Sequence, residues 1–297
     1  MNEQQKKLLL VDGNSLFFKA YYGTAKRLEA GYERGKNGEP VNALRSFAMM
    51  ILSLTKKFPT SKILIAFDAK GTKTYRTEYS FYKSGRKATP EELFVQILPS
   101  RKFLDLYGIK WTENTALEAD DIIGIMAKKG KEQGNIVDII TSDKDLLQLV
   151  DENVNVHLSI KGVQKLETYT LLNFEQKVGI KSPKQLIDLK GIMGDNSDNL
   201  PGIKGIGKVG ALSLIKKYGS LENVIENVDQ LSPLLRKKIE DKKELALICK
   251  HLATIITDAN MDFDLESLKP EKPKIAELIK FLESKNIYNI AKLIKNQ

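Results

Sequence analysis

Three short aliphatic runs, Leu8–Val11, Ile63–Phe67 and Ile136–Ile140, constrain the fold of this chain more than any other feature. Each is a few residues long, mostly β-branched or aliphatic, and bounded by polar residues. That is the pattern of strands buried on both faces of a parallel sheet. Helical patterns lie between them. Leu44, Phe47, Ile51 and Leu54 recur at helix spacing behind Asn42, which is expected to be the N-cap. Thr89-Pro90-Glu91-Glu92 combines a capping box with proline at the first helical position, and predicts a helix running towards Leu106 and stopping near Gly108. Strands alternating with helices imply an α/β fold around a mainly parallel central sheet flanked by helices.

After about residue 182 the apolar residues keep helix spacing but strands disappear. The segments Gln185–Leu189, Val209–Tyr218, Leu221–Val228, Ser232–Lys238 and Asp241–His251 are expected as short helices. Pro270 and Pro273 punctuate a charged connector before a terminal helical pair, Ile275–Leu282 and Ile287–Lys295. The expected division is an α/β core over 1–182 and a helical region over 183–297.

The residues just past each strand carry the chemistry. Val11 is followed by Asp12, Phe67 by Asp68, and the third run by Thr141-Ser142-Asp143-Lys144-Asp145. Ligand sites of open α/β sheets form at the carboxyl ends of the strands, so these acids are expected to converge on one crevice. Glu118-Ala119-Asp120-Asp121 opens a further helix, and Asp195 and Asp198 repeat the three-residue spacing of Glu118 and Asp121. Taken singly, most of these acids fit helix caps or turns: Thr115 with Glu118 and Ser142 with Asp145 both match a capping box. Asp12 and Asp68 fit such roles least, because an acid directly after a buried strand has no local job. Together the nine acids would repel one another unless a cation offset them.

Composition narrows the cation. Two histidines and one cysteine cannot build a typical zinc site or a Cys–His nucleophile, so hard oxygen ligands point to Mg²⁺ or Mn²⁺. Forty-seven basic against 38 acidic residues leave a net charge of +9, which suits a polyanionic partner. Cys249 alone allows no internal disulfide, no run approaches the ~18 apolar residues of a membrane span, and no signal peptide is visible. A cytoplasmic protein acting at the nucleoid is expected.

Two basic segments fit that partner. Lys70, Lys73, Arg76, Lys83, Arg86 and Lys87 are interleaved with Tyr75, Tyr79, Phe81 and Tyr82, so that cations could grip phosphate while rings stack on unpaired bases. Gly202-Ile203-Lys204-Gly205-Ile206-Gly207-Lys208 precedes a helix beginning near Val209, and lacks the spacing and the Ser/Thr of a P-loop.

The segments LLLVDGNSL, IAFDAKG, LEADDIIG, TSDKDLLQLV and GIMGDNSDNLPGIKGIGKVGA resemble, in order, the bacterial 5′-nuclease family. That family includes free-standing flap endonucleases and the 5′–3′ exonuclease domain of DNA polymerase I; a free-standing enzyme is the expected case. The resemblance implies a PIN-like core and two metals. Asp12, Asp68, Glu118, Asp120, Asp143 and Asp145 match acids around the first, and Asp121, Asp195 and Asp198 match positions of the second. It implies that residues of about 69–90 form an arch for a single-stranded 5′ end, with Lys83 close to the scissile phosphate, Arg76 adding positive charge, and Lys70, Tyr82 and Arg86 on the DNA. It implies that Gly202, Lys204, Gly205, Gly207 and Lys208 form a helix-hairpin-helix variant that holds the duplex backbone, often around K⁺, without sequence preference. The expected reaction is two-metal hydrolysis near a 5′ end or flap junction of branched DNA by a monomer, serving replication and repair and leaving 5′-phosphate and 3′-hydroxyl ends. Two rivals each leave a different feature unexplained. A phosphatase using Asp143-Lys144-Asp145 would not need the basic segments, and a non-catalytic DNA-binding protein would not need the acids.

Overall fold

The three aliphatic runs form the centre of a six-stranded sheet of order β3-β2-β1-β4-β5-β6 in the computed structural model, which describes residues 6–59, 61–86, 88–261 and 263–296. Lys87 of the basic segment lies outside the described residues. β1 (Lys7–Asp12) leads to α1 (Gly13–Glu29) and α2 (Asn42–Lys57), and β2 (Lys62–Asp68) to α3 (Glu91–Phe94) and α4 (Ile97–Tyr107). β3 (Lys110–Asn114) precedes α5 (Ala119–Glu132), and β4 (Ile136–Thr141) precedes β5 (Val154–Lys161) and β6 (Lys165–Tyr169). All neighbours pair in parallel except β6, which is antiparallel to β5. The chain fills the sheet on one side of β1 and then, from β4 onward, on the other. The gap between β1 and β4 is therefore the topological switch point, where such sheets open a crevice at their carboxyl ends.

Side-chain alternation along β1 divides the core in two. Leu8 and Leu10 face a layer made by α5 and the second half of the chain, whereas Leu9 and Val11 face α1, α2 and α4. Phe47, wholly buried in the second layer, is worth about 3–5 kcal/mol against alanine by the usual cost of emptying such a site. The second half supplies α6 (Leu171–Val178), α7 (Gln185–Met193), α8 (Lys208–Tyr218), α9 (Leu221–Glu226), α10 (Pro233–Glu240), α11 (Lys243–Ala253), α12 (Ile275–Ser284) and α13 (Tyr288–Lys295). Packing crosses the expected division at 182. Leu278, Leu282, Ile290 and Ile294 of the terminal pair share one core with Phe47 and Phe103. No helix among the described residues is long and apolar enough to cross a membrane.

Several local expectations need correction. Asn42 is the first helical residue, not the cap; its buried amide bonds Tyr21 O and Thr24 Oγ1 and accepts from Gln96, tying α2 to α1 and α4. The helix expected from Pro90 to Leu106 breaks at Val95–Gln96, with Pro90 outside its first turn as N-cap. Its end is as expected, since Gly108 sits at φ 80°, a left-handed helix terminus. Strands β3 and β6 are not visible in the aliphatic pattern because, as the two edges of the sheet, they carry polar residues, and β5 is hidden because Asn155, His157 and Ser159 interrupt its apolar residues.

Candidate active site

The strand ends deliver Asp12 from β1 and Asp68 from β2 to the switch-point crevice, with Asp143 just beyond β4 and Glu118 and Asp120 at the start of α5. Together with Asp198 these acids line a cleft of about 230 Å³, faced by Lys83 and Arg86. Gly13 makes the strand-to-helix turn under Asp12 feasible: a Cβ there would meet the Phe67 ring at 2.5 Å and Ala66 O at 2.8 Å. Asp12 is 3% exposed and accepts from Ser15 N at 2.9 Å and Thr141 Oγ1 at 2.7 Å, which links β1 to β4 across the switch point. Asp68 accepts from Asn14 Nδ2 at 2.6 Å and from Ala119 N at 2.8 Å, so the first turn of α5 points an amide at it.

Among the described residues, Asp12, Asp68, Asp120 and Asp143 make no ion pair with a protein cation. Burial pushes Asp12 up to about 7, against the pull of its bonds to Ser15 and Thr141 and helped by the charges of Asp143 and Asp68. Burial, then Asp12, Asp143 and Asp68, raises Asp120 well above the usual carboxylate range. Charged carboxylates here lack a counter-ion, which is the electrostatic condition for holding a cation. No three carboxylates among the described residues converge closely enough to chelate one ion. A spread, oxygen-only donor set open to solvent fits Mg²⁺ or Mn²⁺, since Mg²⁺ keeps several of its waters.

The other acids are already neutralised by the chain. Glu118 accepts from Lys83 Nζ at 2.8 Å and from Tyr82 Oη at 3.0 Å. Asp198 accepts from Arg86 Nη2 at 2.6 Å, and its carbonyl accepts from Lys83 N at 2.8 Å. Asp145 and Asp195 converge on Lys190, a residue of α7 that no sequence pattern singled out; Lys190 Nζ lies 2.5 Å from Asp195 Oδ2 and also pairs with Asp145. Burial alone would lower Lys190, but the two carboxylates outweigh it and hold it above its ordinary value. Burial would likewise raise Asp195, yet the Lys190 and Ser197 bonds hold it below the usual range. Asp145 is pushed up to about 7 by burial and by Asp143, despite Lys190.

Three expected site residues, Asp121, Arg76 and Lys70, do not line the cleft. Asp121 is wholly buried, and its oxygens accept Arg76 Nη1 at 2.7 Å and Nη2 at 2.8 Å, plus Glu118 N at 3.2 Å and Ile256 N at 2.9 Å. No oxygen is left for a metal. Arg76, 3% exposed, also donates to Leu252 O at 3.0 Å and Thr254 O at 2.6 Å. It anchors the basic segment to α5, to α11 and to the chain after it, and its guanidinium lies 3.7 Å from Glu118 Oε2 without itself lining the cleft. The interleaved rings Tyr75, Tyr79, Phe81 and Tyr82 are partly buried and pack on Leu200, Cys249 and Leu252, which docks the segment on the second half of the chain. Lys70 lies outside the acidic cleft, 5.5 Å above the Phe94 ring.

The glycine-rich run forms an exposed turn before α8. Gly202, at φ 57°, brings the chain so close to Gly194 that a Cβ would meet Gly194 N at 2.2 Å. Gly205 is left-handed at φ 84°, and Gly207 caps α8 without a side-chain bond, leaving backbone N–H groups of the first turn to solvent. Lys204 and Lys208 are exposed on either side. The hairpin directly continues the loop that carries Asp195 and Asp198.

Known proteins share this chain's sequence pattern and fold. A family model described as 5′-3′ exonuclease, N-terminal resolvase-like domain, matches residues 7–179, and one described as 5′-3′ exonuclease, C-terminal SAM fold, matches 181–276. A 5′-3′ exonuclease of Mycoplasma pneumoniae is 39% identical over 92% of this chain and 94% of its own. DNA polymerase I of Bacillus subtilis is 38% identical over 90% of this chain, but the match spans only 30% of that protein. Among solved structures, T5 5′-exonuclease with bound zinc aligns at TM-score 0.69 and 22% identity, covering 96% of this chain and 100% of that one. Flap endonuclease-1 of Methanococcus jannaschii aligns at TM-score 0.63 and 21% identity, covering 98% and 91%.

Proposed function

We propose, from the premise that this chain belongs to the 5′-3′ exonuclease family, that it hydrolyses phosphodiester bonds near the 5′ end or flap junction of branched DNA, leaving 5′-phosphate and 3′-hydroxyl ends. The observation that carries the reading is the cleft at the switch point, where, among the described residues, Asp12, Asp68, Asp120 and Asp143 make no ion pair with a protein cation while Lys83 and Arg86 face them. Asp12, Asp68, Glu118, Asp120 and Asp143 would hold a first divalent ion; Asp145, which the resemblance places with them, shares Lys190 with Asp195 and would instead join Asp195 and Asp198 at a second. Bound Mg²⁺, or Mn²⁺ in its place, supplies the positive charge that activates water and offsets charge on the leaving oxygen.

The chain's own groups do the rest. Lys83 Nζ and the Arg86 guanidinium reach over the acids and are the donors available to a scissile phosphate. Thr141 and Ser15 hold Asp12, and Asn14 holds Asp68, so the acids keep their spacing as substrate enters. The uncapped first-turn amides of α8, with Lys204 and Lys208, would hold the duplex backbone of DNA without reading bases, with K⁺ as a companion ion. A monomer acting in replication and repair at the cytoplasmic nucleoid is consistent with this reading.

The test is cleavage of a 5′-flap duplex with Mg²⁺, with EDTA, and by Asp12→Ala. Mg²⁺-dependent cutting at the junction, reduced at least about a thousandfold in the variant with flap binding kept, supports the reading. An Asp12→Ala enzyme of near-normal activity would sink it.

A further inference from the structure

Lys83 reaches the acids from an uncommon backbone. Its φ of 53° lies in the left-handed region, as does the 54° of Asn199. The only other such non-glycine residue among the described residues, Asn286, belongs to the α12–α13 turn. A lysine rarely takes this conformation, because its Cβ crowds the following carbonyl, so contacts outside the residue must hold it there. Asparagine takes it more readily. The two turns are bonded to each other. Lys83 N donates to Asp198 O at 2.8 Å, and Asn199 Nδ2 donates to Phe81 O at 2.9 Å and to Ser84 Oγ at 2.8 Å. Both hydrogens of the amide are thus placed on the chain just before and just after Tyr82-Lys83, and bracket the lysine. The loop that carries Asn199 is itself closed by two backbone bonds between Asp195 and Leu200, each 2.8 Å.

We propose that Asn199 is a positioning residue for Lys83: its amide holds the left-handed turn that carries the Lys83 ammonium to Glu118 Oε2, 2.8 Å away, and so over the acids. The proposal rests on the nuclease reading for the part Lys83 plays, and goes beyond it by assigning a role to a side chain that bonds none of the acids. Three features single that side chain out. At this reach only a primary amide supplies two donors and no charge; an aspartate has the length without the donors, and a serine has a single one. Tyr75, Tyr79, Phe81 and Tyr82 already dock the segment on Leu200, Cys249 and Leu252, so the amide is left to set the final turn, not to keep the segment attached. Asn199 and Ser84 are exposed, so water takes over their bonds when either is replaced, and the core packing stays as it is.

The experiment uses Asn199→Gly, which keeps the left-handed backbone and removes only the amide. In the protein without DNA or metal, hydrogen exchange at the Lys83 backbone amide, followed by NMR, should speed up at least about tenfold, while the urea midpoint stays unchanged. With saturating protein, single-turnover cleavage of a 5′-flap duplex in Mg²⁺ should slow about tenfold, with flap affinity in EDTA within about twofold of wild type. Ser84→Ala, which removes one of the two acceptors, should fall between. Asn199→Gly/Lys83→Ala should cut no more slowly than Lys83→Ala, because an effect carried by the lysine disappears with it. Losses that multiply in the double variant, or an unchanged exchange rate at Lys83, overturn the proposal. Flap affinity lost while the saturated rate is kept overturns it in favour of a direct contact between Asn199 and DNA. No cutting by the wild type counts against the nuclease reading alone; amide exchange, which needs neither DNA nor Mg²⁺, still decides whether Asn199 holds Lys83.

Discussion

The acids of this molecule fall into two groups that differ in what neutralises them. Asp12, Asp68, Asp120 and Asp143 sit at the switch point and, among the described residues, pair with no protein cation; burial holds Asp12 near 7 and Asp120 well above the carboxylate range. Asp121, Asp145, Asp195 and Asp198 each hold a lysine or arginine of the chain, respectively Arg76, Lys190, Lys190 and Arg86. The first group leaves room for a cation from outside. The second shows three grades of internal neutralisation: a sealed pair at Asp121, a buried bridge at Lys190, and a half-exposed clamp at Arg86. The difference teaches that an acid-rich sequence does not identify its own metal ligands. The partner that reaches each acid through the fold decides.

The sealed pair should give the largest stability effect. Arg76→Met leaves the Asp121 charge buried and unpaired, and should destabilise the protein by about 3–5 kcal/mol in urea unfolding. Arg76→Met/Asp121→Leu should recover most of that loss. A single variant within about 1 kcal/mol of wild type would mean that Asp121 is free to find another cation, and would blur the contrast between the groups.

Asp12 tests the opposite group. Its folded carboxyl is raised to about 7 from 3.8, so between those values the folded state binds more protons than the unfolded state. Stability from this group therefore falls as pH rises through that window, the reverse of an acid whose value is lowered. Without metal, Asp12→Asn should gain on wild type from pH ~4 to pH ~7, by on the order of 2–4 kcal/mol in total, and the gain should shrink when Mg²⁺ is added. A stability difference that stays flat with pH would remove the case for an unneutralised cleft.

How legible all this was in sequence depends on the range of the interaction. Asp12, Asp68 and Asp143 could be read because the signal is local: a mostly apolar run ends, and a carboxylate follows directly or, for Asp143, after Thr141-Ser142. The helices after residue 182 were visible for the same reason, their apolar residues recurring at helix spacing. Strand β5 escaped notice because Asn155, His157 and Ser159 interrupt its apolar residues, although His157 and Ser159 are buried in the fold. Lys190 gave no sign, since it sits within an ordinary helical stretch and its partner Asp145 lies far back in the chain. Arg76 and the tyrosines around it looked like a DNA-binding stripe by composition. Their actual roles depend on α5, α11 and the chain after α11, which no spacing within the stripe encodes.

Lys190 is the intermediate case. If it stands in for an external cation between Asp145 and Asp195, its removal should create a place that metal fills. Saturating Mg²⁺ should then stabilise Lys190→Met more than wild type, by about 1–2 kcal/mol or several degrees in Tm. Equal metal-linked gains in the two proteins would show that Lys190 and metal do not compete for these acids.

Arg86 should show the smallest effect on folding and the clearest on substrate. Its side chain is 53% exposed, so solvent screens the pair with Asp198 and Arg86→Ala should change stability by no more than about 1 kcal/mol. The same exposure makes the guanidinium available to a phosphate. The salt dependence of flap binding should accordingly lose about one counterion's worth of slope, with no change in base preference. A loss of several kcal/mol in folding with an unchanged salt slope would move Arg86 into the sealed class beside Arg76. The outcome predicted instead makes Arg86 a half-exposed clamp on Asp198 that exchanges its carboxylate for a phosphate, at little cost to the fold.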